Sequence, residues 1–104
     1  MSKKLQFIYF LRLIPRLRDE SNWTDEDSLI VQRHFVRLQK LTKEGTVILA
    51  GRTLDADPKG IVILEASSEE EARSLMEDDP TVAEGIMTAE LFPYSVALLR
   101  GAGD

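Results

Sequence analysis

The chain has no cysteine, which removes disulfide frameworks, zinc–thiolate and iron–sulfur centres and thiol nucleophiles from its chemistry. A single histidine, His34, leaves too few borderline ligands for a transition-metal site, so no metal is expected. No Gly-x-Ser-x-Gly elbow, phosphate loop or dinucleotide fingerprint occurs, which argues against a serine hydrolase and against the common nucleotide cofactors; no cofactor is expected. Long apolar runs are also missing. The opening Met-Ser-Lys-Lys leads into a mostly apolar stretch broken by Gln6 and Arg12 with no small-residue cleavage site nearby, which reads as a strand rather than a signal or a membrane span. Basic residues are outnumbered, 13 against 18 acidic, for a formal charge of −5. That balance disfavours a nucleic-acid backbone or an anionic lipid surface as partner, with Arg12, Arg16 and Arg18 the one local exception.

What is present describes a soluble globular protein: 43% hydrophobic and 30% charged residues over 104 positions. Such a length supports one domain, residues 1–104, burying roughly 65% of its unfolded surface. Without cysteine, the chain fits a cytoplasmic location.

Residues 24–45 form the longest periodic segment. At 100° per residue, Ile30, Val31, His34, Phe35, Leu38, Leu41 and Thr42 share an arc of about 140°, the stripe of a core-facing helix, with Arg33, Arg37, Lys40, Lys43 and Glu44 outside it. Thr24 supplies an N-cap, Asp25, Glu26 and Asp27 complement the helix dipole, and Gly45 suits a left-handed stop. Trp23 is placed to staple the helix entry against Leu29 or Ser28, or to cover a pocket. His34 lies within the apolar arc, where an imidazole must either be hydrogen-bonded or border a cavity. It is the first candidate acid/base group.

The remaining segments follow by pattern. Residues 5–14 read as a strand whose alternate sets are both mainly apolar, so both its faces should be covered. Residues 16–23 read as a polar connection. A second strand spans 46–54, with Gly51 marking a bulge or a close backbone approach. Residues 55–60 form a turn; Asp55 and Asp57 lack the other ligands of a calcium loop. A third strand covers 60–66. Ser68 and Glu71 stand at capping-box spacing before a helix over 69–78, ended by Pro80. One further turn at 81–84 precedes a last extended segment, 86–99, with Pro93 confined to an edge or bulge, and a frayed tail from 101. No internal repeat is evident.

The order β-α-β-β-α-β is ferredoxin-like: an α+β fold with a four-stranded antiparallel sheet and two helices on one face. The opposite face is then bare, and its apolar residues predict that a second copy covers it in a two-fold homodimer.

The ordered set His34-Phe-Val-Arg-Leu-Gln-Lys-Leu41, Gly45, Leu49-Ala-Gly51, Gly60 with its strand, Glu65-Ala-Ser-Ser-Glu-Glu-Glu-Ala72, Asp79-Pro80 and Gly85 resembles the YciI-like (YCII-related) family of the dimeric α+β barrel group. The resemblance covers residues 5–99. It implies a homodimer with a pocket where a histidine of the first helix, here His34, meets the aspartate of an Asp-Pro motif, here Asp79. Asp78 is a neighbouring alternative. Thr81 departs from the family, where an aromatic often follows Asp-Pro. Related barrels include a dehydrochlorinase, isomerases and monooxygenases, but a fold alone does not carry a function.

An aspartate on one ring nitrogen would leave the other free for proton transfer. The expected function is therefore an enzyme acting on a small organic molecule with His34 and Asp79 as an acid/base pair, in elimination, isomerisation or related lyase-type chemistry. The competing expectation is a non-catalytic homodimer that binds a ligand or a partner. A cofactor-free oxygen-using enzyme rests on fold analogy alone. Arg12 and Arg52, on strands, are candidates to hold a substrate carboxylate or oxyanion through paired guanidinium donors.

Overall fold

The computed structural model describes residues 4–101. Four strands, β1 (Leu5–Leu13), β2 (Val47–Arg52), β3 (Gly60–Ala66) and β4 (Met87–Tyr94), form one antiparallel sheet in the order β2-β3-β1-β4. Helices α1 (Asp25–Lys43), α2 (Glu69–Glu77) and the single turn α3 (Pro80–Ala83) complete the ferredoxin-like α+β arrangement. Among the described residues no helix is long and apolar enough to cross a membrane.

The sheet's parity decides what is buried. Phe7, Tyr9 and Leu11 of β1 and Val62, Leu64 and Ala66 of β3 pack with Leu38 of α1 and with Ala72 and Met76 of α2, so both helices cover the same face. On the opposite face the register sets Ile8 beside Ile63 and Phe92, and Phe10 beside Ile61. Phe10 and Phe92 meet edge to face, ring centroids 5.9 Å apart. Phe92, Leu49 and Tyr94 are 44%, 48% and 42% exposed there. Within one chain this face is uncovered, with an apolar centre bordered by Gln6, Glu65, Arg12 and Glu90.

The helix limits follow from capping. Thr24 accepts from the Asp27 amide at 3.1 Å while Asp27 Oδ2 accepts from the Thr24 amide at 2.9 Å, a reciprocal box that satisfies donors the first turn leaves free. At the other end Gly45 takes φ +91, and the amides of Thr46 and Gly45 return to the carbonyls of Leu41 and Thr42, a Schellman stop that a side chain at Gly45 would strain. In α2, Ser68 caps the Glu71 amide, but the Glu71 carboxylate bonds Ser67 rather than closing the box on Ser68.

Several expectations need correction. The irregularity in β2 lies between Val47 and Leu49, not at Gly51; a side chain at Gly51 would meet nothing within 4 Å. The last strand ends at Tyr94, because β4 is an edge strand and loses its partner beyond Gln6. Phe35, at the border of the helical stripe, is 60% exposed. Leu29 is 57% exposed, so Trp23 does not staple against it. Instead the indole N–H donates to the Leu17 carbonyl at 2.9 Å, and the ring packs on a second cluster of Leu17, Ile30 and Ile86. The polar-looking connection thus folds into two 3-10 turns, residues 15–18 and 20–22, that bury Leu17 to 1% exposure.

Candidate functional site

His34 rises from the sheet-facing side of α1 between Ile30 and Leu38, both buried, and its side chain is 14% exposed. Asp79 caps α3 and is fully buried. Local chemistry orients Asp79 through its immediate neighbours. Pro80 disfavours helical geometry in the residue before it, and Asp79 is extended at φ −60, ψ 126. Its Oδ1 then accepts from the Thr81 amide at 3.2 Å and the Thr81 hydroxyl at 2.9 Å.

Two distant side chains complete the shell. His34 Nδ1 lies 2.6 Å from Asp79 Oδ1, and the Tyr9 hydroxyl donates to Asp79 Oδ2 at 2.8 Å. Burial alone would raise the Asp79 pKa, but the hydrogen bond and charge of His34, with the Tyr9 and Thr81 bonds, outweigh it and hold the carboxyl below its usual range. An ionised carboxylate only accepts, so the nitrogen facing it carries a proton. In the neutral ring this is the Nδ1–H tautomer, with Nε2 as the free ring nitrogen. The Tyr9 phenol is pushed well above its ordinary value by burial, then by the charge of Asp79 and the bond to it, with Arg37 opposing. Tyr9 therefore stays a donor across the physiological range. Arg37 ties α1 to the end of α2 through Nη2 to the Leu75 carbonyl, 2.9 Å, while its buried Nη1 has no partner among the described residues.

His34 also lines an open cavity of ≈ 1270 Å³ between α1 and the β2 side of the sheet, whose wall includes Leu11, Leu38, Met87, Trp23 and Arg52. Asp79 and Tyr9 are not on that wall. The arrangement places a polarised imidazole between a dry carboxylate and an accessible space. Nε2 there can take a proton from a ligand, or return one, while Nδ1–H stays anchored.

Of the residues singled out in the sequence, the structure brings His34 and Asp79 together and places Arg52 on the same cavity. Arg12 stands apart: it pairs with Asp57 at 2.9 Å and does not line the cavity. Asp78 is the exposed C-cap of α2. Tyr9 and Thr81 were not expected as parts of the site. For Tyr9 a signal existed, since a tyrosine in the Phe7–Leu11 set must find a partner for its hydroxyl once buried. Among the described residues no three His, Asp or Glu side chains gather as a metal-binding group.

Comparison with known proteins agrees with this architecture. The model of the YCII-related domain matches residues 9–94. No curated protein matches the chain in sequence. Among solved structures, 5-chloro-2-hydroxyhydroquinone dehydrochlorinase from Burkholderia phenoliruptrix, in complex with 2,5-dihydroxybenzoquinone, is similar with a TM-score of 0.61 at 18% identity, over 88% of this chain and 94% of that one. At that identity the likeness is one of fold.

Proposed function

Because the chain belongs to the YCII-related domain family, we propose that it is a small-molecule enzyme in which His34 is the general acid/base and Asp79 its orienting partner. One observation carries the reading: His34 bonds a fully buried carboxylate through Nδ1 while the same ring lines an open cavity. In the proposed step, Nε2 removes a proton from a weakly acidic carbon or hydroxyl of the substrate. The electron pair left behind either expels a leaving group, as in elimination, or shifts along a conjugated system and is reprotonated elsewhere by the same nitrogen, as in isomerisation. Asp79 stabilises the imidazolium formed between those events. The ligand-bound dehydrochlorinase supports an elimination of this kind on the fold, and Arg52, which lines the cavity, is proposed to hold a substrate oxyanion.

The protein is proposed to work in the cytoplasm as a homodimer. Support for the dimer comes from the uncovered sheet face, where Leu49, Phe92 and Tyr94 are exposed beside Phe10, Ile61 and Ile63 and a second copy would end that exposure to water. Light scattering of the wild type and of Phe92→Lys tests it: a dimer that becomes a monomer agrees, and a wild-type monomer refutes it.

The catalytic reading is tested by supplying chlorinated hydroxyhydroquinones, with chloride release as readout, and enolisable keto acids, with deuterium uptake as readout. Turnover of either by the wild type, lost in a folded His34→Ala variant that still binds the compound, is the expected result. Turnover surviving in that variant removes His34 from the chemistry, and binding without turnover across both classes favours a ligand-binding protein.

A further inference from the structure

The charge on the cavity wall contradicts the charge of the chain. Acidic residues outnumber basic ones 18 to 13 overall, yet among the described residues every formally charged side chain lining the cavity is basic: Lys40, Lys43, Arg52 and Lys59. The two lysines of α1 lie near its C-terminal end, where cations complement the helix dipole. That accounts for Lys40 and Lys43 but not for Arg52 and Lys59, which come from the other wall, on and beside β2 and β3. Two of the four are already engaged. Lys59 bonds the Asp57 carbonyl at 3.0 Å and lies 3.5 Å from Asp55 Oδ2, and Lys40 is 3.9 Å from Glu44. Arg52 and Lys43 have no ion-pair partner among the described residues.

Parity explains why Arg52 serves the cavity. In the register of β2 with β3, Ala50 opposes the buried Val62 and Arg52 opposes Gly60, so Arg52 stands on the helix-covered side. Gly60 is packed there against Leu11, whose Cβ would lie 3.2 Å from any Cβ at that position. The absence of a side chain at Gly60 keeps the floor beside Arg52 low. Leu11, Leu13, Val31, Leu38 and Met87 make much of the remaining wall apolar, with Gln39 and Thr42 as uncharged polar members beside His34. Lys43 is nine residues beyond His34 on α1, an axial rise of about 13 Å, so this unpaired cation sits well away from the imidazole along the helix.

We infer that the ligand of this cavity is an organic anion, an apolar and preferably aromatic body bearing a carboxylate or similarly acidic group at the end remote from the proton that His34 moves, with Arg52 and Lys43 holding that group. The inference rests on the cavity being the site proposed above, and it names the ligand class of that site. Guanidinium and ammonium donors to a carboxylate make charge-assisted bonds worth more than neutral ones, while the same cations leave a neutral amide of equal shape poorly matched.

The test compares 2-naphthoate and 3-(4-hydroxyphenyl)propionate, each against its own carboxamide, by titration followed at the indole N–H resonance of Trp23. This is the only tryptophan of the chain and lines the cavity. The carboxylates are expected to bind about tenfold or more tightly than their amides, as one charge-assisted contact implies. In Arg52→Gln/Lys43→Gln that preference falls to near parity, with amide affinity unchanged. Equal binding of acid and amide by the wild type, a preference that survives the double substitution, or no response to either acid at millimolar concentration overturns the inference. His34→Gln separates this from the catalytic reading. A carboxylate preference retained there, in a protein whose wild type turns nothing over, upholds anion recognition and rejects the acid/base assignment. Turnover of neutral substrates with no carboxylate preference does the reverse.

Discussion

Asp27 and Asp79 are both buried, both at the start of a helix and both held below the usual carboxylate range, yet they occupy different kinds of surroundings. Asp27 is clamped by both arms of Arg16, each at 3.0 Å, and by the amide and hydroxyl of Thr24, each at 2.9 Å. Hydrogen bonds from Arg16 dominate its depression, and that guanidinium keeps its charge at any relevant pH. Asp79 is surrounded by two hydroxyls, an amide and an imidazole. The imidazole is the one of these donors with a second nitrogen that can exchange a proton, and it is the one that reaches a cavity. A permanent partner makes a stabilising clamp. A titratable partner on a cavity wall makes a site suited to moving protons.

The comparison breaks most severely at Asp79. Asp79→Ala leaves Tyr9, Thr81 and His34 without their common acceptor, and a loss of about 3 kcal/mol in urea unfolding is expected together with loss of turnover. His34→Ala should act on the other quantity. Turnover should fall by about 10²-fold or more, while the urea midpoint moves little, since the imidazole was partly accessible and its cavity is already open. Tyr9→Phe keeps the ring and deletes one donor to Oδ2; a cost of about 1 kcal/mol in stability is expected, with reduced turnover that Tyr9→Phe/His34→Ala does not compound. On the Asp27 side, Thr24→Ala should cost about 1 kcal/mol and leave turnover per folded molecule unchanged.

Acid sharpens the comparison least in size but most in sign. Both carboxyls have folded pKa values below the unfolded value of about 3.9. Each therefore contributes stability that is complete above that value and is lost as pH falls through its folded pKa, where the native state must take up the proton it resisted. Asp79→Asn and Asp27→Asn should each flatten the acid limb of stability against pH. Parallel urea titrations from neutral pH down to strongly acidic pH check this, and an unchanged limb in either variant denies that carboxyl its depressed pKa.

The elements were legible because their signals are local. Thr24, Gly45 and Ser68 mark helix ends through bonds made within a few residues, and runs of branched and aromatic residues bounded by turn residues gave β1 and β3 their extent. His34 was legible as a polar group in an apolar stripe, and Asp79 through its place beside Pro80 in a family pattern. What stayed hidden depends on which side of the sheet the helices choose. Both residue sets of β1 are apolar, so nothing in that strand says that Tyr9 faces the helices and Arg12 the open side; Arg12 and Arg52 looked equivalent until the register separated them. Leu17 was hidden for another reason, as the one aliphatic residue in a polar connection whose burial depends on Ile30 and Ile86, far along the chain. Thr81, a departure from the family's aromatic, turns out to supply two of the four donors to Asp79.

The most direct test of the acid/base arrangement is the nitrogen chemistry of the single imidazole, read without assignment ambiguity by two-dimensional ¹H–¹⁵N correlation of the ring carbons' protons with both nitrogens. With His34 neutral, the structure predicts a protonated Nδ1 and a bare Nε2, the tautomer that a carboxylate at 2.6 Å demands. A ring protonated on Nε2 with Nδ1 bare would contradict it, because Asp79 would then accept nothing from His34 and the nitrogen proposed to do the chemistry would already be occupied.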